Sequence, residues 1–255
     1  MDTNIKPKVS IIMPTYNRAS FIGDTIRSVL VQTYPDWELI IIDDASTDDT
    51  YDVIKDFISP HILYVKNEKN LGIAASRNIA VSKARGQYIA MLDSDDIWLD
   101  KEKLVKQVSF LEKNTDYALV GTWVRKIDQN GASIGEMTFA TDDRAIRQAM
   151  LCRNQFVQSS VLFVKKVAEK AGLYDLALLV DEDYDLWLAI GKIYKFANLS
   201  DFTTGYRVHT GSIIRRKKLL AAQLHLSIIK KYRYDYPEYF RAKIKGIIRL
   251  LLSYL

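Results

Sequence analysis

Cysteine is nearly absent from the 255 residues: a single one, Cys152, excludes an internal disulfide framework and a cysteine-based zinc site. Histidine is as scarce, and His61, His209 and His225 are too scattered for zinc-ligand spacing. No apolar run approaches the ~18 residues that cross a bilayer, and Met1 to Lys8 carry no signal-peptide core. No Gly-x-Gly-x-x-Gly follows the first apolar run and no Gly-x-x-x-x-Gly-Lys occurs, which disfavours a dehydrogenase and a P-loop enzyme. Internal repeats and low-complexity linkers are also missing. The expectation is a reducing, cytoplasmic setting, with any membrane contact peripheral and on the inner face. The net charge of +5 favours anionic partners. No nucleic-acid motif accompanies it, so nucleic acid is not an expected partner.

What is present is ordinary for a soluble α/β protein, with 48% hydrophobic and 26% charged residues, enough for a sizeable core. Val9–Met13 is a short β-branched run stopped by Pro14, and Trp37–Ile42 is a second such run. Both suit buried parallel strands. Helical patterns follow Asn17–Ser20 and span 49–58 and 72–84, alternating with strands at 62–65 and 87–92. This alternation predicts a mostly parallel sheet with right-handed crossovers, whose ligands sit at the carboxyl ends of the strands. After a helix over 101–113 the pattern changes. Runs at 117–128 and 133–138 flank Asn130-Gly131, a hairpin signal, so a small antiparallel sheet is expected. Helices at 144–151 and 167–171 enclose a strand-like segment at 156–164, and two short strands are expected at 193–199 and 203–209.

Three predicted strand ends carry unusual chemistry: Pro14-Thr15-Tyr16-Asn17-Arg18, Asp43-Asp44, and Asp93-Ser94-Asp95-Asp96. Carboxylates packed this closely raise one another's pKa unless a cation neutralises them, and oxygen ligands of this kind suit a divalent metal. An acidic turn capping the next helix would look the same. A later acidic run, Asp181-Glu182-Asp183-Tyr184-Asp185, opens a helical segment, where carboxylates complement the positive end of the helix dipole.

Taken together, Val9–Arg18, Asp43–Thr50, Asn70–Asn78, Leu92–Asp96 and the acidic run at 181–185 resemble glycosyltransferase family 2 in order and spacing, over about residues 8–210. The resemblance implies a GT-A fold, an α/β architecture with a Rossmann-like, mostly parallel sheet flanked by helices. Residues 1–215 would form it, 1–99 binding the nucleotide-sugar and 100–215 the acceptor, and 216–255 would be a C-terminal helical extension. It implies an inverting transfer from a nucleotide-diphosphate sugar, with a UDP-sugar expected, to a hydroxyl of a glycan or lipid-linked acceptor, as in cell-surface polysaccharide or lipopolysaccharide assembly. Pro14, Thr15 and Tyr16 would line the nucleotide pocket, Asp43 and Asp44 would face the base, and Arg77, Asp93 and Ser94 the nucleotide or diphosphate. Asp95, with Asp96 as alternate and His209 as a further contact, would hold Mn2+ or Mg2+. Asp183 would be the general base. Tyr206–Ser212 resembles a late family segment near the diphosphate. Ala189 departs from the arginine that many relatives carry there, and the absence of Gln-x-x-Arg-Trp favours single addition over processive synthesis.

Two other readings stay open on sequence. Met91–Asp95 also resembles the nucleophile loop of haloacid-dehalogenase phosphatases, and a non-catalytic carbohydrate-binding module would fit the charge. In the last segment, Phe240, Ile244, Ile247, Ile248, Leu251 and Leu255 line one face while Arg241, Lys245 and Arg249 recur on another. Such a helix either lies on an anionic membrane or packs on the body or a partner subunit.

Overall fold

The computed structural model describes residues 6–209 and 218–254. β1 (Val9–Thr15), β2 (Trp37–Asp43), β3 (Ile62–Lys66) and β4 (Tyr88–Met91) form the parallel part of one sheet, in the order β3-β2-β1-β4. β1 is buried along its whole length, which is why its sequence is continuously apolar instead of alternating. Its two faces feed two cores. Ile12, Ile40, Ile42, Ile89 and Met91 face one side, with α3 (Ile73–Lys83), α6 (Lys165–Ala171) and α7 (Glu182–Gly191) packed over them. Ile11, Met13, Leu39, Ile41 and Ala90 face the other, under α1 (Ile22–Leu30) and α4 (Lys103–Lys113).

The antiparallel part continues the same sheet. β8 (Leu162–Val164) pairs antiparallel with β4, β6 (Tyr117–Ile127) follows, and β9 (Lys195–Arg207) lies parallel to β6, with β5 (Ile97–Trp98) at the edge. β7 (Ser133–Met137) pairs with β6 as the predicted hairpin. The two strands expected at 193–199 and 203–209 are one strand. Register shifts around Thr122–Val124 absorb the polar stretch Ser200-Asp201, which reads as a turn in sequence and is a bulge in the sheet. Of the strand-like 156–164 only the last three residues are strand, because Gln158–Ser160 form a 3-10 turn. α2 (Thr50–Ile54) is shorter than the 49–58 pattern, since Lys55–Phe57 tighten into another 3-10 turn. α5 (Asp143–Met150) starts from Asp142, whose carboxylate accepts the Ala145 N–H.

α8 (Lys218–Lys231) and α9 (Tyr239–Leu252) close the described chain. α9 packs on α8 through its small residues: Ala242 is buried, and a Cβ at Gly246 would lie 2.5 Å from Leu226 Cδ2. The apolar residues Phe240, Ile244, Ile248 and Leu251 are left exposed. The helix thus packs on the body, as one of the two sequence readings had it, but with the face opposite to the expected one. Thr210, Gly211, Ser212 and Leu255, and the boundary expected at 215/216, lie outside the described residues.

At the amino end of the sheet Ser10 Oγ donates to Glu38 Oε1 (2.6 Å) and accepts the Gly86 N–H (2.8 Å), while Arg85 binds the other Glu38 oxygen. A Cβ on Gly86 would stand 2.6 Å from the Ser10 backbone nitrogen. Gly86→Ala is therefore expected to destabilise the fold by about 1–3 kcal/mol, the usual cost of overpacking, read as a lowered urea midpoint at unchanged m-value.

Candidate active site

Because β1, β2 and β4 run parallel, their carboxyl ends share one edge, and the loops that follow are laced together. Asn17 Oδ1 accepts the Thr47 N–H (2.8 Å), and the Asn17 N–H donates to Ser46 Oγ (2.9 Å). Asn17 and Ala45 both have positive φ, 53° and 66°. For alanine this is strained backbone, held by the surrounding loop. Pro14 is buried; Thr15 is buried with an Oγ1 that has no hydrogen-bond partner among the described residues. Tyr16 stands 43% exposed at the mouth.

Asp43 and Asp44 divide the labour. Asp43 is fully buried and spends its carboxylate on the Ser46 N–H and the Tyr64 hydroxyl. It braces the loop. Asp44 accepts the Leu71 and Gly72 N–H groups and Asn67 Nδ2, each at 2.8 Å, and so fixes the start of α3. About one lone-pair site of that carboxylate stays open.

The loop after β4 holds three carboxylates by giving each a different partner. Asp93 Oδ1 pairs with Arg77 Nη2 at 2.7 Å. Asp95 Oδ2 meets Arg18 Nε at 2.9 Å and His209 Nε2 at 3.1 Å. Burial pushes the Asp95 carboxyl up, but the His209 hydrogen bond and Arg18 outweigh it and hold it below the usual carboxylate range. Asp96 is buried, accepts Ser159 Oγ (2.5 Å) and the Arg207 N–H (2.8 Å), and is pushed well above its ordinary value by burial and by Asp95 and Asp93. It ties the loop to the 3-10 turn and the end of β9. Ser94 is buried, and its carbonyl accepts Thr25 Oγ1 at 3.0 Å. Arg207 reaches back with Nε to the Asp95 carbonyl (2.7 Å) and lies over Phe21.

Asp183 sits in the first turn of α7, which begins at Asp181 in the left-handed region (φ 59°). Trp187 anchors this helix in the core against Phe163 and Tyr174. α8 grips it from outside, with Lys231 Nζ 2.8 Å from both Asp185 oxygens and the Tyr232 hydroxyl on the Asp185 carbonyl. Burial, reinforced by Glu182 and Asp181 against the opposing pull of Arg77, pushes the Asp183 carboxyl up to about 8. Arg77 joins this helix to the acidic loop, pairing with Glu182 through Nη1 and with Asp93 through Nη2.

A divalent ion suits this donor set in part. Among the described residues no three His, Cys, Asp or Glu side chains converge to hold an ion alone. Asp93 Oδ2 and Asp95 Oδ1 have no protein partner there, and hard carboxylate oxygens of this kind bind Mg2+ or Mn2+ when phosphate oxygens and water complete the shell. Arg18 and Glu182, absent from the residues expected to form the site, are central to its charge balance. Arg18 closes a recognised block, but its reach to Asp95 across 77 positions leaves no local signal.

The Glycosyl transferase family 2 profile matches residues 10–220. The chain is 34% identical over 252 residues to an Escherichia coli protein named UDP-Glc:alpha-D-GlcNAc-diphosphoundecaprenol beta-1,3-glucosyltransferase WfaP, covering 96% of each. In fold it resembles Staphylococcus aureus TarS 1-349 in complex with UDP-GlcNAc (TM-score 0.74, 18% identity, covering 95% of this chain and 72% of that one). It also resembles the mannosyltransferase PcManGT of Pyrobaculum calidifontis in complex with GDP-Man and Mn2+ (TM-score 0.70, 18% identity, covering 99% and 76%). The phosphatase and carbohydrate-binding readings give way to this match. With its strand-end loops, its acidic turn and the helix that bears Asp183 gathered on one edge of a GT-A sheet, the chain belongs to glycosyltransferase family 2.

Proposed function

We propose that the protein is an inverting, metal-dependent transferase that moves a sugar from UDP to a hydroxyl of a lipid-linked glycan during cell-surface polysaccharide assembly. The observation that carries this reading is the Arg77 bridge, which joins the acidic loop of the donor half to the helix bearing Asp183. The UDP-sugar complex of the structural neighbour and the lipid-linked acceptor in the relative's name support the substrate classes.

Thr15, Tyr16 and Asp44 would take the nucleoside, with Pro14 behind them. Asp93 and Asp95 would hold the ion, with Ser94 between them fixing the turn and His209 beside Asp95. When bound, Mn2+ or Mg2+ would neutralise charge on the departing nucleoside diphosphate. The acceptor hydroxyl attacks the anomeric carbon from the face opposite the diphosphate, and Asp183 takes its proton as the new bond forms. A single displacement inverts the configuration and needs no covalent enzyme intermediate.

Titrating UDP, GDP and dTDP calorimetrically, each with and without manganese, tests the donor assignment. UDP should bind best and need the metal, and Asp95→Ala should weaken it at least tenfold; tight metal-free binding that survives the substitution would overturn the assignment. Asp183 acts only when ionised, so protonation below about pH 8 removes activity. The expected profile of kcat/KM rises about tenfold per pH unit up to pH 8 and flattens above it. Asp183→Asn should cost about 10²–10⁴ in kcat and leave UDP binding intact. Arg77→Ala strands two carboxylates, one of them buried, and should lower stability by about 3–5 kcal/mol in denaturant melts. Arg77→Lys should not restore it, because one ammonium replaces a planar fork that reaches two carboxylates at once.

A further inference from the structure

We propose that a basic cavity beside the first turn of α7 receives the diphosphate of a polyprenyl-diphosphate-linked acceptor, whose hydrocarbon chain lies along the exposed apolar face of α9. The cavity has a volume of about 290 Å3 and lies between the loop at Cys152–Asn154, the start of α7 and the middle of α9. Its cations are Arg153, Lys245 and Arg249. Among the described residues neither Lys245 nor Arg249 has an ion-pair partner, and the Arg153 guanidinium rests on the Phe139 ring without a carboxylate. The one acidic group on the wall, Asp181, is already met by His225 Nδ1 at 3.2 Å, and His225 in turn stacks on Tyr184. Three cations against one paired carboxylate make a site for a polyanion, and guanidinium groups match phosphate oxygens in bidentate geometry.

Two placements turn this anion site into an acceptor site. First, the wall residues Asp181 and Tyr184 flank Asp183 in the chain, so a phosphate held here is next to the turn that carries the base. Second, the cavity adjoins an apolar surface. A second hollow of about 330 Å3 shares Lys245 and Arg249 and is further walled by Lys218, Ser253, Ile248 and Leu252. It opens on the part of α9 where Ile244 is 60%, Leu251 62% and Leu252 63% exposed. An amphiphile with a doubly charged head and an apolar tail fits cations bordered by the exposed aliphatic residues of α9, whereas a soluble nucleotide or sugar phosphate leaves the apolar part unused. No helix among the described residues is long and apolar enough to cross a membrane, so α9 would meet the acceptor's chain at the bilayer surface. The proposal rests on the reading of the protein as a glycosyltransferase with a lipid-linked acceptor and adds where the lipid carrier is held.

The test uses farnesyl diphosphate as a soluble probe, titrated into the full chain in the presence of saturating UDP and manganese, with pyrophosphate and farnesol as the two half-probes. Farnesyl diphosphate should bind at least tenfold more tightly than either half. The Lys245→Ala/Arg249→Ala pair should lose that binding by tenfold or more. The Ile248→Ser/Leu252→Ser pair should weaken farnesyl diphosphate but leave pyrophosphate unchanged. All four positions are exposed, so the variants should melt like the parent, and UDP binding is followed in each. Failure of the parent to bind UDP would count against the donor assignment alone. Farnesyl diphosphate binding that neither pair changes, or that is no tighter than pyrophosphate, overturns the acceptor site. Vesicles of phosphatidylglycerol without any polyprenyl diphosphate provide the last arm. If the basic pair loses vesicle binding but keeps the probe, the cations serve a membrane surface and the proposal falls.

Discussion

One guanidinium holds the site together. Arg77 is almost wholly buried and pairs with Asp93 at the tip of β4 and with Glu182 at the start of α7, segments 89 positions apart in the chain. A charge in that position is tolerable only because two carboxylates meet it. Conversely, the two carboxylates can be brought together in the interior only because it lies between them. The same group lies over the Tyr174 ring, which itself packs on Trp187, so the ion pair is set into the core that anchors the base helix. The loop after β4 and α7 therefore cannot move independently without leaving buried charge unpaired.

The distribution of the remaining charge follows the same economy. Asp43 and Asp44 are spent on backbone N–H groups and neighbouring side chains, Asp95 on Arg18 and His209, and Asp96 on Ser159 and Arg207. Asp183 is the exception: its only hydrogen bond among the described residues is from the Tyr184 N–H, and burial, reinforced by Glu182 and Asp181 against the pull of Arg77, pushes it up to about 8.

The C-terminal helices have two tasks. α8 fixes α7 through Lys231, Tyr232 and Asp185, so the base helix is clamped from the core by Trp187 and from outside by the extension. α9 packs on α8 only where Ala242 and Gly246 let the backbones approach, which leaves its large apolar residues outward and its cations over the cavity. Small residues determine the contact face here. A hydrophobic pattern alone points to the opposite face, because it weights side chains by size and not by how closely a partner helix can come.

By itself the sequence determined the parallel half of the sheet. Continuous β-branched runs such as Val9–Met13 and Trp37–Ile42 can be satisfied only by burial on both faces, and the polar clusters that stop them mark the ligand edge. It also determined α3, bounded by Gly72 at its start, and the hairpin at Asn130-Gly131, since turn and cap chemistry are local. The tertiary structure decided what depends on distant partners: that 195–207 is one bulged strand, that Asp43 accepts the Tyr64 hydroxyl and Asp96 the Ser159 hydroxyl, and that Glu182 answers Arg77. Only the fold brings Arg153, Lys245 and Arg249 round one cavity. Such pairings are set by loop closure over tens to hundreds of residues, and residue type and period carry no record of them.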